Sequence, residues 1–141
     1  MSVVVDASVA LKWVLQEEYT EEALELRSQW QDAAEPIIAP PTFRSEVTNV
    51  LHRRTLREEI TPVDARELLD ALLPAVNTVE PNGLYARALT MAEELSLHTI
   101  YDALYLALAE SEGCEFWTAD LPFVRSVRHQ FPRVRWITEV V

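Results

Sequence analysis

Short apolar runs rich in β-branched residues recur along this chain, and each is followed by a stretch of helical character. Val3-Val4-Val5 and Ile37-Ile38-Ala39 are too short for helices and carry no polar alternation. Runs of that kind are strands buried on both faces. Glu115-Phe116-Trp117-Thr118 reads as a further strand, and Val76–Val79 and Val134–Ile137 complete five. Between them lie helical segments. One begins near Ser8 and runs past Trp13, and a second opens at Thr20 with acids in its first turn. A third follows Pro40-Pro41 with Thr42 as its cap, and a fourth starts at Thr61-Pro62. Leu84–Leu95 is next, then the most apolar helix, opened by Thr99 and closed by Gly113. A short helix follows Asp120. Strand and helix in alternation, with no repeat and no low-complexity linker, predict an α/β fold: one domain over residues 1–141 with a mostly parallel five-stranded sheet flanked by helices.

Composition removes several classes of function. The single cysteine, Cys114, allows no intrachain disulfide, and no Cys/His cluster suggests zinc. There is no secretion signal and no run of membrane-spanning length, so a soluble cytoplasmic protein is expected. A net charge of −11 argues against a general nucleic-acid binder, which needs a broad basic surface. It is compatible with an enzyme that holds a short stretch of backbone through a metal, and with a basic protein partner.

Four acids stand at the strand–helix joints. Asp6 follows the first strand, Glu46 lies early in the helix after the second, and Asp120 follows the fourth. Asp102 is the only charged residue between Leu97 and Ala109, at the start of a helix that leads back into the fourth strand. If the strands are parallel, all four reach the carboxyl edge of one sheet, where ligands bind in such folds. Taken singly, each has a local explanation: Asp6 and Asp120 as caps, Glu46 as an acid favoured by a helix start, and Asp102 as half of a Thr99-x-x-Asp102 capping box. Capping does not explain their convergence. Carboxylates crowded together repel unless a cation lies between them, and an all-oxygen set suits a hard divalent ion.

At this point the residues carry a resemblance. Val3-Val4-Val5-Asp6-Ala7-Ser8-Val9-Ala10-Leu11-Lys12-Trp13 is similar to the opening of PIN-domain proteins, and more closely to VapC-type ribonuclease toxins of type II toxin–antitoxin modules. Pro41–Leu51 around Glu46 resembles the second acidic motif of that family, Tyr101–Ala109 the third, and Thr118-Ala119-Asp120 the fourth. The resemblance implies a three-layer PIN fold and a Mg²⁺- or Mn²⁺-dependent endoribonuclease that leaves 5′-phosphate and 3′-hydroxyl ends. It also implies an antitoxin protein as partner, RNA as substrate, and a homodimer. Asp6, Glu46, Asp102 and Asp120 would be the catalytic and metal-binding acids, with Asp6 and Asp102 the nearest ligands and Glu46 and Asp120 direct or through water.

Ser8 and Thr118 are candidate hydroxyls supporting the acids. Arg53 lies seven residues from Glu46, which places both on one helix face about 10 Å apart along the axis. Arg53, with Arg54 or Arg57 beside it, and Lys12 are the candidate contacts to RNA phosphate; the alternative is solvated basic residues. His52 and His98 read as packing or surface residues, and Trp13, Trp30, Trp117 and Trp136 as core or interface. Two rival readings remain. One is a PIN-like module that binds a partner without catalysis. The other is a phosphotransferase with an aspartate nucleophile, which calls for a second aspartate where Ser8 stands.

Overall fold

A computed structural model describes every residue, Met1–Val141. Five strands form one sheet: β1 (Val3–Val5), β2 (Ile37–Ala39), β3 (Asn77–Thr78), β4 (Phe116–Thr118) and β5 (Val134–Trp136). Their spatial order is β3-β2-β1-β4-β5, and all four pairings are parallel. The expected "mostly parallel" sheet is therefore wholly parallel. β1 lies at the centre, with Val4 opposite Ile38 on one side and Phe116 on the other. A central strand has no solvated face, which is why three valines stand in a row and are at most 2% exposed.

Parallel neighbours require crossovers, and helices supply them. Between β1 and β2 run α1 (Ala7–Ala10), a 3₁₀ turn over Leu11–Trp13, and α2 (Thr20–Asp32). Between β2 and β3 run α3 (Thr42–Leu56) and α4 (Pro62–Leu72), and between β3 and β4 run α5 (Leu84–Glu94) and α6 (Tyr101–Glu112). The last helix, α7 (Leu121–Val127), joins β4 to β5. Neighbouring side chains of β4 show that both faces of the sheet are covered. Phe116 packs against Tyr105 of α6 and Phe123 of α7, while Trp117 meets Trp30 of α2. Successive strand side chains point to opposite faces, so these helices form two outer layers.

α6 is the most enclosed helix. Residues 103–109 are all buried, because the helix packs against α5, β1 and β4. It ends where Gly113 turns left-handed at φ 64°, as its sequence predicts. Thr61 opens α4 with a reciprocal capping box to Asp64.

Two cap assignments differ from expectation. Thr42 is the first helical residue of α3 and not its cap. Pro41 already holds helical angles (φ −55°, ψ −30°), since its ring fixes φ there, so the helix begins one residue sooner. Thr99 and Asp102 form no capping box either. α6 starts at Tyr101, Ile100 takes the cap position in helical conformation, and no side chain caps it.

Candidate active site

The chain runs outward from β1 to β2 and β3, then crosses back to β4 on the other side of β1. The sheet's switch point therefore lies between the carboxyl ends of β1 and β4. Asp6 leaves one of these strands and Asp120 leaves the other. Both act as helix caps: Asp6 Oδ1 accepts from the Val9 amide at 3.2 Å, and Asp120 Oδ1 from the Phe123 amide at 3.1 Å. The capping expectation holds for these two acids, and for Asp6 it accounts for only part of what the carboxylate does.

Two hydroxyls clasp Asp6. Ser8 Oγ donates to Oδ1 and Thr118 Oγ1 to Oδ2, each at 2.5 Å. The hydroxyl oxygens in turn accept backbone amides from the β4–α7 joint, Ala119 N–H to Ser8 at 2.9 Å and Asp120 N–H to Thr118 at 3.1 Å. Thr118 is fully buried. Both hydroxyls thus connect the carboxylate of β1 to the backbone that carries Asp120. Burial nevertheless dominates its ionisation. It pushes the Asp6 carboxyl up to about 6, while the Ser8, Thr118 and Val9 hydrogen bonds pull down and the Asp102 charge adds to the rise.

Glu46 reaches the same place from the first turns of α3. Its Oε2 accepts from the Tyr105 hydroxyl at 3.2 Å, and its Oε1 is buried with no hydrogen-bond partner. Burial raises its carboxyl, the Tyr105 bond opposes, and the charges of Asp6 and Asp102 raise it further. The Thr42 hydroxyl is close enough to temper that rise, yet its oxygen is outside hydrogen-bond geometry. Asp102, in the first turn of α6, retains solvent access and makes no side-chain hydrogen bond. Partial desolvation raises its carboxyl, and the Asp120 charge adds to this.

Each acid is thus within electrostatic range of at least one other, and together they form one acidic edge. They have not closed to direct ligand spacing: no three His, Cys, Asp or Glu groups make a ready-formed metal cage. The donors are all oxygen, and one buried carboxylate oxygen is orphaned, a costly state that a cation or its water would relieve. On those two counts the residues fit a hard divalent ion held partly through water.

Of the candidate phosphate contacts, Lys12 is placed otherwise than expected. It is 9% exposed and its Nζ pairs with Glu17 Oε1 at 3.0 Å, while Arg54 takes Glu17 Oε2 at 2.6 Å. A buried ammonium needs a partner, and Glu17 provides it five residues on. Arg53 is exposed and forms no ion pair, on the α3 stripe that carries Glu46. The residue that sequence reasoning missed is Tyr105. Its spacing of three from Asp102 puts both on one face of α6, which was the available signal. His52 and His98 are exposed, and Trp13, Trp30 and Trp117 are buried.

The chain as a whole has counterparts. A model of the PIN domain matches residues 3–126. The chain belongs to the PIN-domain family. Among curated PIN relatives it is 32% identical to the VapC ribonuclease Mb0985 of Mycobacterium bovis over 131 residues, 92% of this chain and 94% of that one. It is 31% identical to ribonuclease VapC3 of Pyrobaculum aerophilum, across 94% of this chain and 96% of that one. The chain is thus a PIN protein of the VapC type. Solved structures share the fold. PAE2754 from Pyrobaculum aerophilum superposes with a TM-score of 0.65 at 23% identity, over 89% of this chain and 86% of its own. A toxin–antitoxin complex from Klebsiella pneumoniae has a chain that superposes at 0.68 with 17% identity, over 96% and 98%. No helix of this PIN protein is long and apolar enough to cross a membrane.

Proposed function

We propose that this protein is a divalent-metal-dependent endoribonuclease, the toxin of a toxin–antitoxin pair, and that Asp6, Glu46, Asp102 and Asp120 are its catalytic acids. The observation that carries the reading is the acidic edge at the β1/β4 switch point. There a clasped, half-buried Asp6 lies within electrostatic range of a Glu46 whose second oxygen has no partner. The VapC relatives, ribonucleases by name, supply the reaction class.

Asp6 and Asp102 would hold the cation, Mg²⁺ or Mn²⁺, with Glu46 and Asp120 completing its oxygen set directly or through water. When bound, the ion supplies Lewis acidity toward water and phosphate. The chain's own residues do the rest. The Ser8 and Thr118 hydroxyls keep Asp6 from rotating away. A carboxylate at the rim, Glu46 or Asp120, accepts the proton from the attacking water. Arg53, exposed and unpaired one face-length from Glu46, takes a neighbouring phosphate. The carboxylates lie along an open sheet edge, as cutting within a polymer requires; the roughly 230 Å³ cavity beneath Phe131 and Arg133 contains none of them.

An antitoxin protein, a second copy of this chain and a cytoplasmic setting complete the proposal. The Klebsiella pneumoniae neighbour, a toxin–antitoxin complex by title, supports the first of these. The test is cleavage mapping on total RNA with Mg²⁺ or Mn²⁺, against a chelator and an Asp6→Asn control. Metal-stimulated cuts that vanish in both controls are expected. Intact RNA under every condition would instead favour a PIN module that only binds a partner.

A further inference from the structure

Tyr105 is 1% exposed, and its ring is stacked on Phe116 with centroids 5.4 Å apart and planes within 14°. Phe116 in turn packs against Phe123, so the ring has no room to swing. A phenylalanine would fill this space equally well, and a buried hydroxyl is costly unless paired. The hydroxyl has one partner, Glu46 Oε2 at 3.2 Å, across 59 residues of sequence. Tyr105 also stands one helical turn after Asp102 on α6. A single rigid side chain therefore connects the acid of α3 to the helix that carries Asp102.

The bond has a directional effect. Tyr105 occupies one oxygen of Glu46 and leaves the other, Oε1, buried and unpaired. Without the hydroxyl, the carboxylate would lose the one side-chain hydrogen bond that fixes its rotation about its stem. We infer that Tyr105 is a positioning residue: its hydroxyl holds Glu46 by Oε2 so that Oε1 faces the place where a divalent cation binds. The inference deepens the proposed function and rests on that reading. It assigns to a core-like tyrosine the setting of one acid's orientation, so that metal affinity depends on a group that never touches the metal.

The test uses the full chain and Mn²⁺ alone, with free Mn²⁺ followed by electron paramagnetic resonance. Tyr105→Phe should weaken Mn²⁺ binding by about tenfold, the lower end for groups that orient a metal ligand. Glu46→Gln should weaken it as well, and the double variant no further, because the hydroxyl acts only through that carboxylate. Phe116→Leu serves as the packing control: it loosens the stack and keeps the hydroxyl, so it should lower the melting temperature and leave Mn²⁺ affinity near that of the parent. Parental Mn²⁺ affinity in Tyr105→Phe would overturn the inference while leaving the nuclease reading intact. Equal losses of affinity in Phe116→Leu and Tyr105→Phe would also overturn it, by reducing Tyr105 to packing. If Tyr105→Phe does not fold, Phe116→Leu and Glu46→Gln still decide: a Glu46→Gln variant that binds Mn²⁺ as the parent does removes the ligand through which Tyr105 would act. Absence of Mn²⁺ binding by the parent chain, with total RNA left intact, would overturn both readings together.

Discussion

The Thr118 hydroxyl donates to Asp6 Oδ2 at 2.5 Å across the seam between β1 and β4 and accepts the Asp120 amide at 3.1 Å. One buried side chain thereby fixes the spacing of two of the four acids. Thr118→Val retains the shape, removes the hydroxyl, and leaves the Asp120 amide and one Asp6 oxygen without that partner. The expected cost is about 1–3 kcal/mol in urea unfolding. A larger proportional loss is expected in RNA cleavage, about tenfold or more, because the two acids are no longer held to one another. Unchanged cleavage in a folded Thr118→Val protein would remove Thr118 from the site.

Asp6 makes the metal-free site a burden on the fold at neutral pH. Its carboxyl titrates at about 6 in the folded chain, against an ordinary 3.8, so the folded state holds its proton more tightly than the unfolded state. The stability associated with that proton is fully present below about pH 4 and is lost as pH rises through about 6. Asp6→Asn should therefore match the parent at pH 4 and exceed it by roughly 1–3 kcal/mol at pH 7.5 without metal, while abolishing RNA cleavage. Chelator-treated proteins compared by urea unfolding at the two pH values check this. A variant less stable than the parent at pH 7.5 would contradict it.

A cation that binds the acidic edge only in the folded state must raise its stability by mass action. At a hundredfold excess over its dissociation constant the gain is about 2.7 kcal/mol. Thermal scans at pH 8 should show a melting temperature that climbs with Mn²⁺ and returns to baseline with chelator. In Asp102→Asn the same titration should produce little shift. If the parent and this variant respond alike, the cation is binding elsewhere.

Lys12 and Arg53 should separate cleanly. Lys12→Ala leaves Glu17 with Arg54 alone beside an emptied, buried position, so stability should fall by about 1–2 kcal/mol. Arg53→Ala, exposed and unpaired, should leave unfolding unchanged within about 0.5 kcal/mol. It should weaken binding of RNA and reduce the magnitude of the salt dependence by about one phosphate contact. Fluorescence anisotropy with a labelled RNA at two salt concentrations measures both quantities. The reverse assignment, with Lys12→Ala altering the salt slope, would place the phosphate contact back on the first helix.

How much of this was legible in the sequence differs by level. The five strands and their mostly parallel arrangement follow from unbroken apolar runs such as Val3–Val5, which a strand buried on both faces tolerates, and from helices long enough to cross over; the spatial order did not. The four acids were legible because a parallel sheet brings every strand–helix joint to one edge. Local chemistry was harder. Thr42 has the residue type of a cap, but the φ of Pro41 moved the helix start ahead of it. Thr99 and Asp102 have capping-box spacing, yet Ile100 takes the cap position in helical conformation. Lys12 read as free although its partner Glu17 stands only five residues on, because the turn after Trp13 that folds Glu17 back carries no plain sequence signal, and Arg54 joins the pair from α3. Tyr105 was hidden for a related reason. In an apolar run a tyrosine reads as core, and nothing local announces a bond to a glutamate 59 residues away.

The clasp on Asp6 also governs when the acidic edge can assemble. Its two ends are separated by 112 residues, and the central strand acquires β4 as a neighbour only once residues 116–118 exist. Synthesis runs from the amino end, so Asp6 is made almost first and waits for Thr118, Ala119 and Asp120 to arrive. Throughout that interval the growing chain has acids but no assembled edge. On the proposed ribonuclease reading, the edge that would cut RNA is assembled only after residue 120 has been made.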